Sequence, residues 1–133
     1  MSYGTSVTLD IPFSEAVARV RAALQEQGFG VLTEIDVTAT LKAKLGEQIE
    51  DYVILGACNP PLAHRALAAD RSIGLLLPCN VVVRAAGAGS IVEALDPQIM
   101  ATLTGRPELK PVADEAARRL AAALAGLTKG EEE

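Results

Sequence analysis

Residues 52–58 constrain the fold most, because this segment is apolar in both of the side-chain directions that a strand offers. Alternate residues of a strand point to opposite faces of its sheet, so a strand of this kind must be covered on both faces. Asn59 and Pro60 follow at once, and these residue types favour a helix N-cap and the first helical position. The segment therefore predicts an interior strand that leads into a helix over residues 62–69.

The rest of the chain changes between the two-residue period of strands and the three-to-four-residue period of helices. Further strands are predicted over residues 3–11, 29–37, 73–86 and 90–95, and further helices over residues 14–28, 38–45 and 109–127. Ser14 is the expected N-cap of the first of these helices, and Gly28 the glycine that closes it. Pro78 cannot donate a ladder hydrogen bond, so we expect a kink in the strand over residues 73–86.

The strand over residues 29–37 shows the alternation of a strand that is wet on one side. Val31, Thr33 and Ile35 are expected on one face, and Glu34 and Asp36 on the other. Residues 87–89, Gly-Ala-Gly, then predict a hairpin between the last two strands. No helix follows that turn, so it is not expected to bind phosphate.

Length and charge limit the classes of function. A chain of 133 residues can bury a core as one domain, expected over residues 1–129 with an acidic tail at 130–133. The formal net charge of −5 argues against nucleic-acid binding, and the adjacent Arg118 and Arg119 are expected on a solvated helix surface. We expect no membrane association and a cytoplasmic location, because no signal segment or apolar run of roughly 20 residues occurs.

Four stretches of sequence resemble the bacterial and archaeal DUF302 family. They are GFGVL at residues 28–32, EIDV at 34–37, LGACNP at 55–60 and LPCNVVV at 77–83. The resemblance implies an α+β fold, with an antiparallel curved sheet of about five strands and helices on one face, in a β-α-β4-α order. It also implies a topology similar to the TATA-binding-protein fold and a homodimeric assembly. It implies no reaction, because function depends on sites rather than on folds.

The residues that could carry chemistry are Cys58, His64 and Cys79. Cys58 precedes the helix that Asn59 and Pro60 open, where backbone dipoles stabilise a thiolate, and His64 lies one turn into that helix. Two thiolates and an imidazole could hold zinc or a similar metal with one position open. A redox or thiol-transfer role is the second alternative, and inert packing of two free cysteines is the third.

Two functions remain open from the sequence alone, and no cofactor is identified. The first is a non-catalytic dimeric domain that binds a small molecule or a protein partner in a groove between sheet and helices. The second is a thiol-dependent protein centred on Cys58 and Cys79, either metal-binding or handling sulfur. A homodimer is expected to cover the second face of the sheet, and the candidates for its two buried faces are Ile54, Leu76, Val81 and Val83.

Overall fold

The computed structural model describes residues 3–132, with side chains through residue 128. Its strands are β1 (Gly4–Leu9), β2 (Gly30–Asp36), β3 (Tyr52–Cys58), β4 (Cys79–Ala86) and β5 (Gly89–Leu95). Its helices are α1 (Phe13–Glu26), α2 (Val37–Leu45), α3 (Pro60–Ala69), α4 (Gln98–Thr104) and α5 (Lys110–Glu132), with 3-10 helices at Arg71–Leu76 and Pro107–Leu109. The strands form one antiparallel sheet in the order β1-β5-β4-β3-β2. The predicted α+β class with a five-stranded antiparallel sheet is confirmed.

The main core lies between one face of the sheet and the helices α1 and α5. The sheet contributes Val53 and Leu55 from β3, and Val81 and Val83 from β4. The helices contribute aliphatic side chains at helical spacing: Ala16, Val20, Leu24, Leu120, Ala123, Leu124 and Leu127. With so few aromatic residues, this core depends on dense packing of small aliphatic side chains.

A second core, smaller than the first, forms beyond one end of the sheet. It joins α3, α4, both 3-10 helices and the first turns of α5 through buried side chains: Leu62, Ala66, Ile73, Met100, Leu109, Val112, Ala113 and Ala116. The helix predicted over residues 109–127 is confirmed, and its apolar residues at spacings of three and four form a buried stripe: Leu109, Val112, Ala116, Leu120, Ala123 and Leu127. Helix α5 spans both cores and therefore fixes one against the other.

The prediction of one long strand over residues 73–86 is wrong. The strand β4 begins at Cys79, and residues 71–76 form a 3-10 helix whose N-cap Asp70 accepts a 3.0 Å hydrogen bond from the Ser72 amide. Ile73 turns into the second core, and Leu76 packs against the same cluster rather than lying on a face of the sheet. Pro78 separates the two elements, because it has no N–H to extend the ladder.

The predicted grouping of Val31 with Thr33 and Ile35 on one face is wrong, because β2 contains a bulge at Leu32, although Thr33 and Ile35 do lie on the face opposite to Glu34 and Asp36 as predicted. Val31 lies opposite Ala57, but the next paired residue, Thr33, lies opposite Gly56. The extra residue reverses the faces of the residues that follow it. Glu34 consequently lies on the helix-covered side of the sheet, where Arg21 of α1 donates to it at 2.8 Å.

The helix ends follow the sequence in part. Gly28 closes α1 with a φ of 85°, as predicted, but α1 begins at Phe13 after Pro12, so Ser14 is not its N-cap.

The helix α4 was not predicted, and it follows β5 after two residues. Helix α5 continues through Glu132, so residues 130–132 belong to its backbone, while Met1, Ser2 and Glu133 lie outside the described residues. Over the described part of the chain, every helix is too short or too polar to span a lipid bilayer.

Candidate functional site

Cys58 and Cys79 come together at neighbouring strand ends. Cys79 is the first residue of β4 and lies opposite Ala57, so it is one position from Cys58 across the ladder. Cys79 is buried in the main core, while Cys58 is half-buried, and both are free thiols. The two cysteines line the same cavity.

The environment of Cys79 keeps its thiol protonated. Burial, and to a smaller extent the nearby Cys58, raises the pKa of Cys79 from 9.0 to about 11. Because the thiolate is the nucleophile and the metal ligand, Cys79 is poorly suited to either role near neutral pH. Its position favours the packing alternative among the three that the sequence left open.

The cavity beside these cysteines has a volume of about 30 Å³ and lies between the end of the sheet and helices α3 and α5. We call it the seam cavity, because side chains of both cores line it. Its walls include Phe29, Cys79 and Ala57 from the main core and Leu62, Met100 and Val112 from the second. Apart from the two thiols, the only polar side chain in its lining is that of Asn59.

Asn59 is the N-cap of α3, as the sequence predicted. Its Oδ1 accepts a 3.2 Å hydrogen bond from the Leu62 amide, and its carbonyl oxygen accepts one of 2.9 Å from the Ala63 amide. The intervening Pro60 and Pro61 have no N–H. The first turn of α3 therefore offers no free backbone donor to Cys58, and this weakens the expected stabilisation of a thiolate there.

Arg119 and Asn59 come close to each other beside Gly28. A Cβ built on Gly28 would lie 2.9 Å from Arg119 Nη1 and 2.9 Å from Asn59 Nδ2. Arg119 Nη1 also donates to the Gln27 carbonyl oxygen at 3.3 Å, and Arg119 Nε to Glu115 Oε2 at 3.5 Å. Gly28 is required at this point both for its positive φ and for the space that these two side chains occupy.

The sequence did not single out Arg119, which it placed on a solvated surface. A signal was nevertheless available. Arg119 is three residues after Ala116 and one before Leu120, both members of the buried stripe of α5, so its stem borders that stripe. Its guanidinium can then reach the loop between α1 and β2.

His64 does not join the two cysteines. It is exposed on α3 and is not part of the lining of the seam cavity. Among the side chains described, those of residues 3–128, no three of His, Cys, Asp or Glu are grouped so that they could hold a metal ion. The structure thus brings together Cys58, Cys79, Asn59 and Pro60 at one end of the sheet, but not the predicted set of three metal ligands.

Comparison with known proteins agrees with this architecture. The model of the family described as "Domain of unknown function DUF302" matches residues 5–127. The crystal structure of an uncharacterized conserved DUF302 protein from Bacillus stearothermophilus is similar, with a TM-score of 0.88 and 30% sequence identity over 96% of this chain and 99% of that one. A search of curated proteins finds no match. The chain belongs to the DUF302 family, whose function is unknown.

Proposed function

We propose that this protein is a non-catalytic binding domain that takes a small, largely apolar molecule in the seam cavity. The observation that carries the proposal is the cavity itself, whose walls are aliphatic and aromatic side chains with two thiols and the Asn59 side chain as the polar groups. Ligand sites in proteins are concave and mostly apolar, with a few polar groups that orient the ligand. The volume of about 30 Å³ is far below their usual range of roughly 300–1,000 Å³, so the proposed ligand is very small or enters the cavity only in part.

The position of the cavity supports the same proposal. It lies where the main core and the second core meet, so a ligand there would contact residues of both. The thiol-dependent alternative has less support, because Cys79 keeps its proton near neutral pH and the first turn of α3 has no free amide for Cys58. Two cysteines that contribute apolar surface are consistent with a binding site.

A cavity-filling substitution tests the proposal. Ala63 lines the seam cavity and is half-buried, whereas Ala68 lies on the same helix, is exposed and is not part of the lining. Straight-chain alcohols from methanol to butanol serve as probes, and thermal unfolding is followed at increasing probe concentration. A ligand that binds only the folded state raises its stability by mass action.

We expect the alcohols to raise the melting temperature of the unsubstituted protein and of Ala68→Leu, with little or no effect on Ala63→Leu. Equal shifts in all three proteins would show binding elsewhere, and the absence of a shift in all three would show no binding. Either result rejects the proposal. The melting temperatures without alcohol show whether each variant still folds.

We also propose that two copies of the chain pack through the sheet faces turned away from the helices. Val81 and Val83 are buried in the main core, so among the predicted candidates only Ile54 lies on this outer face, where it is paired with Val82. The outer face also carries the Arg84–Glu93 ion pair at 3.0 Å. An antiparallel sheet with apolar side chains on its second face is suited to such packing.

Light scattering coupled to size-exclusion chromatography tests the assembly. Ile54→Lys should give monomers at micromolar concentration, because it places a charge in the centre of the proposed contact. Ala121→Lys is the control, since Ala121 is exposed on α5, on the opposite side of the sheet from the proposed contact. A monomeric unsubstituted protein under the same conditions would reject the dimer.

A further inference from the structure

Both tyrosines of the chain line one pocket on the outer face of the sheet, although the chain has only two Phe, two Tyr and no Trp. Phe29 is buried in the main core and Phe13 packs against it, whereas Tyr3 and Tyr52 lie at this pocket. We call it the outer pocket, and its other lining residues are Gly4, Asn80, Val82, Glu93, Ala94 and Leu95. Tyrosine combines an apolar ring with a polar hydroxyl, so two of them at one concave site favour a binding role.

The outer pocket is a depression on the side of the sheet turned away from the helices. Val81 is buried on the helix-covered face, so Asn80 and Val82 on either side of it point outward. Glu93 lies opposite Val82 in the ladder between β4 and β5, and Gly4 borders the pocket from β1 without a side chain to fill it. The volume of about 200 Å³ is below the roughly 300–1,000 Å³ of sites for drug-sized ligands, so the space suits a molecule of one ring.

The polar side chains of the outer pocket keep hydrogen-bonding capacity for a ligand. Among the residues that the structure describes, none bonds to the hydroxyls of Tyr3 and Tyr52 or to the side-chain amide of Asn80. Glu93 accepts a 3.0 Å hydrogen bond from Arg84 Nε through Oε1, which leaves its Oε2 available. Phenols and amides both donate and accept, whereas a carboxylate accepts. The pocket therefore presents donors and acceptors together beside aliphatic surface.

The charge at the outer pocket is balanced. Among the described residues that line it, Glu93 alone carries a charge, and the Arg84 guanidinium pairs with it at 3.0 Å. An anionic ligand would face this carboxylate with no cation in the lining, and a cationic ligand would find the carboxylate already paired. A neutral ligand meets neither cost.

We infer that the outer pocket binds a neutral, polyhydroxylated molecule about the size of one sugar ring. Each hydroxyl of such a molecule both donates and accepts, which matches the mixture of phenols, amide and carboxylate oxygen around the pocket, and its C–H groups cover the aliphatic surface. No residue lines both the outer pocket and the seam cavity, so this site is separate from the one proposed above. Ile54, the centre of the proposed contact between copies, is also outside the lining.

A matched pair of probes tests the inference. The molecules myo-inositol and cyclohexanol have the same carbon ring and differ in their number of hydroxyls, and choline serves as a cationic probe. Dissociation constants are measured at pH 7 by NMR titration, from the backbone amide signals of the residues that line the outer pocket. Tyr52→Phe and Asn80→Ala each remove one hydrogen-bonding group, and the amide spectrum of each variant shows whether it folds. Gln48→Ala is the control, because Gln48 is an exposed amide outside the lining.

We expect myo-inositol to bind the unsubstituted protein and Gln48→Ala at least tenfold more tightly than cyclohexanol. In Tyr52→Phe and Asn80→Ala its affinity should fall about fivefold, as expected for one lost hydrogen bond, while the affinity for cyclohexanol stays within a factor of two. Equal binding of these two probes, tighter binding of choline, or an unchanged affinity in both variants would overturn the inference. The absence of myo-inositol binding would overturn it as well, and the seam cavity would still be tested separately by the alcohols.

Discussion

Cys79 lies directly opposite Ala57 in the ladder between β3 and β4, and both side chains are buried on the helix-covered face of the sheet. Cys58 is the next residue along β3 and is half-buried. Two cysteines one position apart across a ladder thus have different access to solvent. This difference should appear in their chemistry.

We expect alkylation to separate the two thiols. At pH 7.5, iodoacetamide should modify Cys58 at least tenfold faster than Cys79, because burial raises the pKa of Cys79 and shields it from the reagent. Mass spectrometry of peptides at timed intervals measures both rates, and Cys58→Ser and Cys79→Ser assign the phases. Faster labelling of Cys79 than of Cys58 would contradict the burial of Cys79 in the main core.

The stability of the protein should depend on pH through Cys79. Its pKa is about 11 in the folded protein, against an ordinary value of 9.0, so the thiol stabilises the folded state fully below pH 9. As pH rises from 9 to about 11, the unfolded chain loses the proton first and this stability is lost, up to about 2–3 kcal/mol.

Urea denaturation at pH 8 and at pH 10.5 measures this effect. Cys79→Val, which cannot titrate, should lose less stability between the two pH values than the unsubstituted protein. Cys58→Ala serves as the control that keeps Cys79, and it should behave as the unsubstituted protein does. An identical loss in Cys79→Val would assign the pH dependence to other groups.

Gly56 should not tolerate a side chain, because a Cβ there would lie 2.2 Å from Thr33 Oγ1 and 2.8 Å from Pro78 Cγ. The threonine can rotate, but the proline ring has little freedom. We expect Gly56→Ala to lower the free energy of unfolding by about 1–3 kcal/mol. Thr33→Ala in the same chain should restore part of this loss, which a double-mutant cycle in urea would quantify.

Gly30 provides the matched control on the neighbouring strand. A Cβ at Gly30 would meet nothing within 4 Å, and its φ is not in the left-handed region. Gly30→Ala should therefore be neutral or stabilising by about 0.4–1 kcal/mol, because alanine restricts the unfolded chain. Equal losses at the two glycines would point to a general effect of alanine in the sheet rather than to the contacts of Gly56.

The sequence predicted most elements because their local signals agree with their tertiary positions. The interior strand over residues 52–58 and the cap at Asn59 needed only side-chain period and capping chemistry, and both are confirmed. The bulge at Leu32 escaped prediction because the alternation on either side of it is regular, and only pairing with β3 reveals the extra residue. Its effect is that Val31 shares a face with Glu34 instead of with Ile35.

The candidate site was predictable in its strand ends, but the contact of Arg119 with the loop before it was not. Cys58 and Cys79 converge because adjacent strands end together, which their similar local sequences suggested. Arg119 reaches Gly28 across 91 positions of the chain, a contact that depends on how α5 crosses both cores. The helix α4 was not predicted because its seven residues, between Pro97 and Gly105, are too few to show a helical period.

Ile73 and Leu75 distinguish the 3-10 helix from the strand that the sequence predicted. In a strand, residues two positions apart share a face, so both would be buried or both exposed. In this structure Ile73 is 1% exposed in the second core and Leu75 is 88% exposed. Ile73→Ala should thus destabilise the protein by about 2–5 kcal/mol, as cavity-forming substitutions do. Leu75→Ala should change stability by less than about 0.5 kcal/mol in the same urea experiment. Similar losses for the two would indicate a strand at residues 73–76 and would separate these residues from the second core that bounds the seam cavity.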